Sequence, residues 1–341
     1  MSKLTIALDI MGGDHGPPVI LSATLKAIRQ HPDFKFILCG DSQIIETALN
    51  DLLPEQRARV SVSHCEEVVD MGDAPAFALR NKKRSSMRRS IELVASHDAD
   101  ACVSAGNTGA LLAMAYYLLK TLPGVDRPAL VSAMPTASQH KVFLLDLGAN
   151  VNCTSETLFQ YGVMGSVLAA QVSGIERPRV ALLNVGEEDI KGNAQVKIAD
   201  QLFRKADAIN YIGYVEGDDI FTDCADVVVT DGFTGNIALK STEGLAKLVI
   251  FEVKRQSQVN LLTRIMARIA LPLLKSIYNR VNPDQYNGAS LLGLRGIVIK
   301  SHGNASADAF YYAIHQAMLE ARMGIPEKIK SKIETVLLEQ L

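Results

Sequence analysis

The sequence predicts an α/β protein built on a mostly parallel sheet with helices on both faces. Short apolar runs rich in β-branched residues recur along the chain, helical patterns separate most of them, and most runs end in a turn of glycine and small polar residues. Parallel neighbours need crossover connections, which helices supply, so this alternation favours a parallel sheet over a sandwich or a helical bundle.

The predicted strands cover residues 4–8, 34–39, 101–104, 130–134, 142–145, 180–184, 227–230 and 297–300. In such a sheet ligands collect beyond the carboxyl ends of the strands. Asp9 leads there into Met11, Gly12, Gly13, Asp14 and His15, and Ser104 leads into Gly106, Asn107, Thr108 and Gly109. Turns at 146–150, 184–188, 231–236 and 302–304 follow four more strands. The expectation is that all six turns converge on one rim.

Composition narrows the class. A chain of 341 residues that is 48% hydrophobic and 21% charged has material for a large core, and no Pro/Gly/Ser linker or internal repeat divides it. One two-lobed unit over 1–341 is expected. A formal net charge of −2 argues against general nucleic-acid binding. Five widely spaced cysteines in mostly apolar runs read as reduced core thiols of a cytoplasmic protein. The start reads as a strand and not as a secretory leader, and no apolar run reaches the roughly 18 residues of a membrane span.

The segment 243–286 departs from the alternation. It reads as a projecting pair of amphipathic helices, the second placing Leu261, Leu262, Ile265 and Ile269 on one apolar face with Arg264 and Arg268 beside it, and Pro272 is expected to kink or break it. Such a face fits a bilayer interface, a dimer contact or an acyl-chain groove.

Each turn has a functional and a bland reading. Gly106 to Gly109 opens a helix whose free N–H groups and positive end suit phosphate, or it is a plain strand-to-helix turn capped by Asn107 or Thr108. Gly12 and Gly13 serve a ligand or only a tight turn. Lys191, after Glu187, offers a point charge or is merely solvated. Asp231 and Asn236 suit proton transfer and oxyanion stabilisation, or an Asx turn with a helix cap. His15 and His302 suit proton donation or anion binding, though a lone loop histidine usually does neither. Six basic residues, Arg80, Lys82, Lys83, Arg84, Arg88 and Arg89, crowd into one run and read as a docking surface for an acidic partner or as a solvated helix start.

The remaining histidines show no metal-ligand spacing, and GxGxxG, GxxxxGK[ST] and GxSxG are missing, so neither a metal nor a nucleotide cofactor is expected.

Six blocks in order, ALDIMGGDHGP, SAGNTGALLA, DLGANVNC, LLNVGEEDIKGN, DVVVTDGFTGNIALK and GASLLGLRGIVIKSHGNA, closely resemble the PlsX-type phosphate acyltransferases across nearly the whole chain. The resemblance implies a three-layer α/β/α fold related to the isocitrate and isopropylmalate dehydrogenases and to the phosphotransacetylases. It also implies a homodimer and transfer of a fatty acyl group from acyl carrier protein to inorganic phosphate. The acyl phosphate then feeds a membrane glycerol-3-phosphate acyltransferase in phospholipid synthesis. Two departures touch loops: a glycine expected near Asp223 is missing, and Asn304 stands where serine usually follows the glycine.

For that reaction the turns suggest roles: Ser104, Gly106, Asn107, Thr108, Gly109 and Lys191 are expected to hold phosphate, with His15 beside them as a catalytic residue. Asn236 is expected to stabilise the oxyanion and Asp231 to orient phosphate or take its proton. Asp9, Gly12, Gly13, Asn150, Asn184, Glu187 and His302 are expected in the substrate loops, and the run from Arg80 to Arg89, with Arg264 and Arg268, is expected to meet the carrier protein. The rival readings are a short-chain phosphotransacylase using acyl-CoA, an NAD-dependent dehydrogenase of the related fold, and a non-catalytic carrier-protein or membrane adaptor.

Overall fold

The first strand is buried on both faces and so already builds three layers: Ile6 and Leu8 pack with Ile20, Ala27 and Ile314 on one side, while Ala7 packs with Met87, Ile91 and Leu111 on the other. The structure, a computed structural model, describes residues 3–138 and 140–339, without the side chains of 261, 262, 274, 277–281, 283 and 337–339. The elements run β1 (Leu4–Asp9), α1 (Pro17–Gln30), β2 (Phe34–Gly40), α2 (Ser42–Leu49), α3 (Pro54–Arg57), β3 (Val60–His64), α4 (Pro75–Asn81), α5 (Ser86–Ala95), β4 (Ala101–Ser104) and α6 (Thr108–Leu119). They continue through β5 (Ala129–Pro135), β6 (Lys141–Leu145), α7 (Ser155–Ser173), β7 (Arg179–Leu183), α8 (Ala194–Arg204), β8 (Asn210–Val215), β9 (Val227–Val229) and α9 (Gly232–Gln256). The last are α10 (Leu261–Val281), β10 (Ala289–Leu292), β11 (Ile297–Lys300), α11 (Ala307–Met323) and α12 (Ile325–Glu339).

The eight expected strands are all present, and β3, β8 and β10 join them. β3 and β8 are the two edge strands and carry polar or glycine positions, whereas β10 has only four residues. None of the three forms a long apolar run.

One sheet of 11 strands runs in the order β3-β2-β1-β4-β11-β10-β5-β6-β9-β7-β8. Its two wings are parallel, but β11–β10, β10–β5 and β5–β6 pair antiparallel. Three reversals are an odd number, so the β6-β9-β7-β8 wing runs opposite to the β3-β2-β1-β4-β11 wing. The single rim expected for the six turns is therefore replaced by two groups, one per wing, at opposite edges of the sheet.

α9 connects them. It begins in the second group and buries only Gly232 and Gly235 among its described residues. Beyond Glu243 it exposes Leu245, Leu248, Val249 and Phe251, and α10 exposes Ile265, Met266, Ile269, Leu271 and Leu273. Two helices run through 243–286, the first starting already at Gly232 and the second, α10, continuing through Pro272. The side chains of Leu261 and Leu262 lie outside the described residues. Among the described residues no helix is long and apolar enough to cross a membrane.

Candidate active site

The first group sits where β1, β4 and β11 end. Asp9 and Ser104 are buried, and Ser104 Oγ donates to Asp9 Oδ2 at 2.6 Å while accepting from Gly106 N at 3.0 Å. The β11 turn closes on the same place: Ser301 N donates to Ser104 O, and Asp14 N donates to Gly303 O. Gly12 is required there, because a Cβ on it would lie 2.7 Å from Asp9 Oδ2 and 2.8 Å from Gly106 N. Burial pushes the Asp9 carboxyl upward, against hydrogen bonding from Ser104 and others, and its Oδ1 has no hydrogen-bond partner among the described residues.

The predicted phosphate cradle is partly committed to structure. Asn107 Oδ1 caps α6 by accepting from Ala110 N at 3.0 Å, and its Nδ2 donates to Met71 O and Asp73 O. Pro75 packs on Gly109, where a Cβ would come within 2.7 Å of the proline ring. The Ser104 and Asn107 side chains therefore build the turn, and the backbone N–H groups at the α6 N-terminus, with Thr108 exposed, are what remains for an anion. His15 is exposed in the β1 loop.

His302 extends this group toward α9. Its backbone N–H donates to Asn287 Oδ1, and its Nε2 lies 3.5 Å from Glu243 Oε1. Burial lowers the imidazole pKa in spite of Glu243, with Lys240, Lys300 and Lys247 acting in the same direction as burial.

The second group gathers the ends of β6, β9 and β7. Buried Asp146 accepts from the N–H groups of Leu130, Gly148, Ala149 and Asn150, so it shapes this turn. Asn150 is a correction to the expected substrate loop: its Nδ2 is used by Pro128 O, Asp146 Oδ2 and Tyr161 Oη, which makes it part of the buried frame. Asp231 is the N-cap of α9, accepting from Thr234 N at 2.8 Å and Thr234 Oγ1 at 3.0 Å, the bland reading of that residue. Asn236 follows on the first turns of α9, exposed and beside Gly148.

Asn184 braces the β7 turn, donating to Gly186 O at 3.0 Å. Lys191 folds over Gly186 and pairs with Glu188 at 2.7 Å, while Glu187 is exposed. Lys191 therefore belongs with Asn236, in the wing opposite Ser104, and the expected clamp joining Lys191 to Ser104 is divided by the antiparallel centre. From Asn236 to Glu243 is seven residues of helix, about 10 Å at the usual rise per residue, so α9 brings the two groups within the span of one extended substrate.

The basic run is mostly neutralised. Lys82 pairs with Asp70, Arg84 with Glu66, Arg88 with Glu92 at 2.8 Å, and Arg89 Nε donates to Ser63 Oγ. Arg80 and Lys83 make no ion pair among the described residues. They follow Met71 and Phe77, exposed apolar side chains on the segment that covers the first group, with Met71 reaching Gly303. Arg264 and Arg268 are exposed on α10, apart from this patch in sequence and beside Ile265 and Ile269.

Sequence reasoning missed Lys300, the last residue of β11 and the register partner of Ser104. Lysine at the end of an otherwise apolar strand was the available signal. It also left the residue at 223 without an explanation: Asp223 has φ 65°, the left-handed region where glycine is easiest and aspartate is tolerated, and its Oδ2 accepts from Ser138 N.

The hydroxyls that meet a carboxylate in these groups are committed to the turns: buried Ser104 donates to Asp9 and accepts from Gly106 N, and Thr234 bonds Asp231, the N-cap of α9. Burial holds the thiols of Cys65 and Cys153 protonated, each pushed up to about 11. Amide-rich turns without an activated nucleophile suit direct reaction between two bound partners.

A family described as fatty acid synthesis protein matches residues 4–328. A phosphate acyltransferase of Pseudoalteromonas atlantica is 62% identical over 340 residues, covering all of both chains, and one of Shewanella sp. strain MR-4 is 54% identical over 99% of each. The fold is similar to that of a phosphotransacetylase from Streptococcus pyogenes, with TM-score 0.61, 19% identity and 94% of each chain covered. A branched-chain phosphotransacylase from Enterococcus faecalis gives TM-score 0.59 at 16% identity, covering 94% of this chain and 99% of that one. At such identities these two likenesses establish the fold alone. The chain belongs to the phosphate acyltransferases, enzymes that transfer an acyl group to phosphate.

Proposed function

We propose that the enzyme takes a fatty acyl group from acyl carrier protein and delivers it to inorganic phosphate, releasing the free carrier thiol and an acyl phosphate for phospholipid synthesis. The observation that carries this reading is the pair of amide-rich turn groups joined by α9. Phosphate held from the first group, at the N-terminus of α6, and a thioester carbonyl held from the second, near Asn236, meet alongside α9, where attack needs them within about 3.5 Å of each other. A phosphate oxygen attacks the carbonyl carbon, the tetrahedral oxyanion accepts hydrogen bonds from Asn236 and nearby amides, and the C–S bond breaks to leave the carrier thiolate, which takes up a proton.

An acidic carrier with a long acyl arm suits the surface at the mouth. Arg80 and Lys83 offer unpaired charge beside apolar Met71 and Phe77, and the exposed residues of α9 and α10 offer an apolar face for a bilayer or a second copy of the chain. The cytoplasmic setting, the homodimer and delivery to a membrane acyltransferase belong to this reading.

Trapping with hydroxylamine tests it. Acyl hydroxamate should form from acyl carrier protein only when phosphate is present, and faster than from acyl-CoA at equal concentration. Preference for a short-chain acyl-CoA favours the phosphotransacylase reading. Binding of acyl carrier protein without consumption of its thioester favours the adaptor.

A further inference from the structure

A lysine buried in a protein is ordinarily paired, because an isolated ammonium loses far more hydration than one hydrogen bond returns. Lys300 is 7% exposed, and its Nζ donates to the carbonyl of Ser301 with no ion pair among the described residues. Burial lowers its pKa to about 8, opposed by Asp14 and Asp9 and reinforced by Lys240. Asp9 does not complete the pair: Oδ2 is taken by Ser104, and Oδ1 has no hydrogen-bond partner among the described residues.

Strand register places these groups side by side. Lys300 is the Cα partner of Ser104, and Leu8 is the partner of Val103, so Asp9, Ser104 and Lys300 form one row across β1, β4 and β11. Partners in register put their side chains on the same face, and the Ser104–Asp9 hydrogen bond confirms it for two of the three. The row lies beneath Gly12 and Gly106 in the first turn group. A buried ammonium lacking an anion thus stands near a buried carboxylate oxygen lacking a donor.

We propose that Lys300 is the charge-bearing residue of the acceptor site, pairing with phosphate bound over the Asp9–Ser104–Lys300 row. This rests on the reading of the first group as the phosphate site, and it adds a residue and a basis for selectivity. Phosphate near neutrality keeps at least one proton, so one of its oxygens can donate to Asp9 Oδ1 while another accepts from Lys300. Sulfate offers the acceptors without the proton and leaves Asp9 facing bare negative charge.

The test uses the full chain, with Lys300→Met and Lys300→Arg. Losing one member of a buried charge pair should raise the KM for phosphate at least about 30-fold in Lys300→Met, with the KM for the acyl donor unchanged and partial recovery in Lys300→Arg. Phosphate should raise the melting temperature of the wild type, sulfate at the same concentration should raise it less, and neither should act on Lys300→Met. Without ligand, Lys300→Met should melt at or above the wild-type temperature, because it removes an uncompensated buried charge. A lysine serving only the fold predicts the reverse: a lower melting temperature with phosphate protection and phosphate KM intact, which would overturn the assignment. Equal protection by sulfate would overturn the pairing with Asp9. A wild type that makes acyl phosphate but shows no dependence on Lys300 refutes this inference alone, whereas a wild type without phosphate-dependent turnover refutes the underlying reading as well.

Discussion

Gly235→Ala separates the effect of α9 as a helix from its effect as a positioning element. An alanine Cβ at 235 would stand 1.9 Å from the carbonyl oxygen of Asp146 and 3.0 Å from its carbon, both backbone atoms. Real contacts stay above 3.0 Å, so the first turn of α9 must recede by at least about 1.1 Å. The neighbouring Asn236 moves with it, away from Gly148. Helix propensity alone favours alanine by about 1 kcal/mol, while overpacking against backbone costs about 1–3 kcal/mol, so a net loss of up to about 2 kcal/mol is expected. A misplacement near 1 Å is worth about 100-fold in turnover. Gly244 is the control: it lies exposed on the same helix with nothing near its added Cβ, and Gly244→Ala should gain up to about 1 kcal/mol at unchanged turnover. Hydroxamate-coupled turnover and urea denaturation of both variants read the comparison. Wild-type turnover in Gly235→Ala, with the stability gain of Gly244→Ala, refutes the argument that α9 sets the site.

Asn236→Ala should lower turnover about 100-fold with little change in stability, as for other lost oxyanion donors; wild-type turnover removes the residue from the site. Glu320, fully buried beneath Ser290 and Gln316, is pushed up to about 7 by burial. Its folded pKa lies above the unfolded one, so the proton is held more tightly when folded, and stability falls by about 3 kcal/mol as pH rises from about 4.5 through 7. Glu320→Gln should lose that slope in urea titrations across the same range. Arg80→Glu with Lys83→Glu should weaken use of acyl carrier protein and flatten its salt dependence at unchanged phosphate KM; unaltered kinetics across a salt series contradict the docking surface. Ile265→Asp with Ile269→Asp should abolish liposome flotation while sedimentation keeps the wild-type oligomeric state, and a change of oligomer instead assigns the face to dimer packing.

Much of the fold was legible because burial on both faces makes parallel strands into apolar runs, and β1, β4, β6 and β9 are such runs. The reversal at the centre was not, since β10 is four residues long and strand direction leaves no mark on composition. That reversal is what turned one expected rim into two groups. At the site, the turns were legible from glycine placement, but side-chain commitments were not: Asn107, Asn150 and Asp231 have the residue types of ligand-binding positions and are occupied by backbone and buried partners. Lys300 escaped notice for the opposite reason: a lysine closing an apolar strand is a weak signal until its burial sets it apart from the chain's solvated lysines.

Direct attack by phosphate, with no acyl group ever attached to the protein, is the claim on which the rest depends. Intact-mass spectrometry of the enzyme quenched after incubation with acyl carrier protein thioester, first without and then with phosphate, tests it. The protein mass should stay unchanged in both, with acyl phosphate produced only in the second; a protein heavier by one acyl group in the absence of phosphate, discharged when phosphate is added, would contradict it.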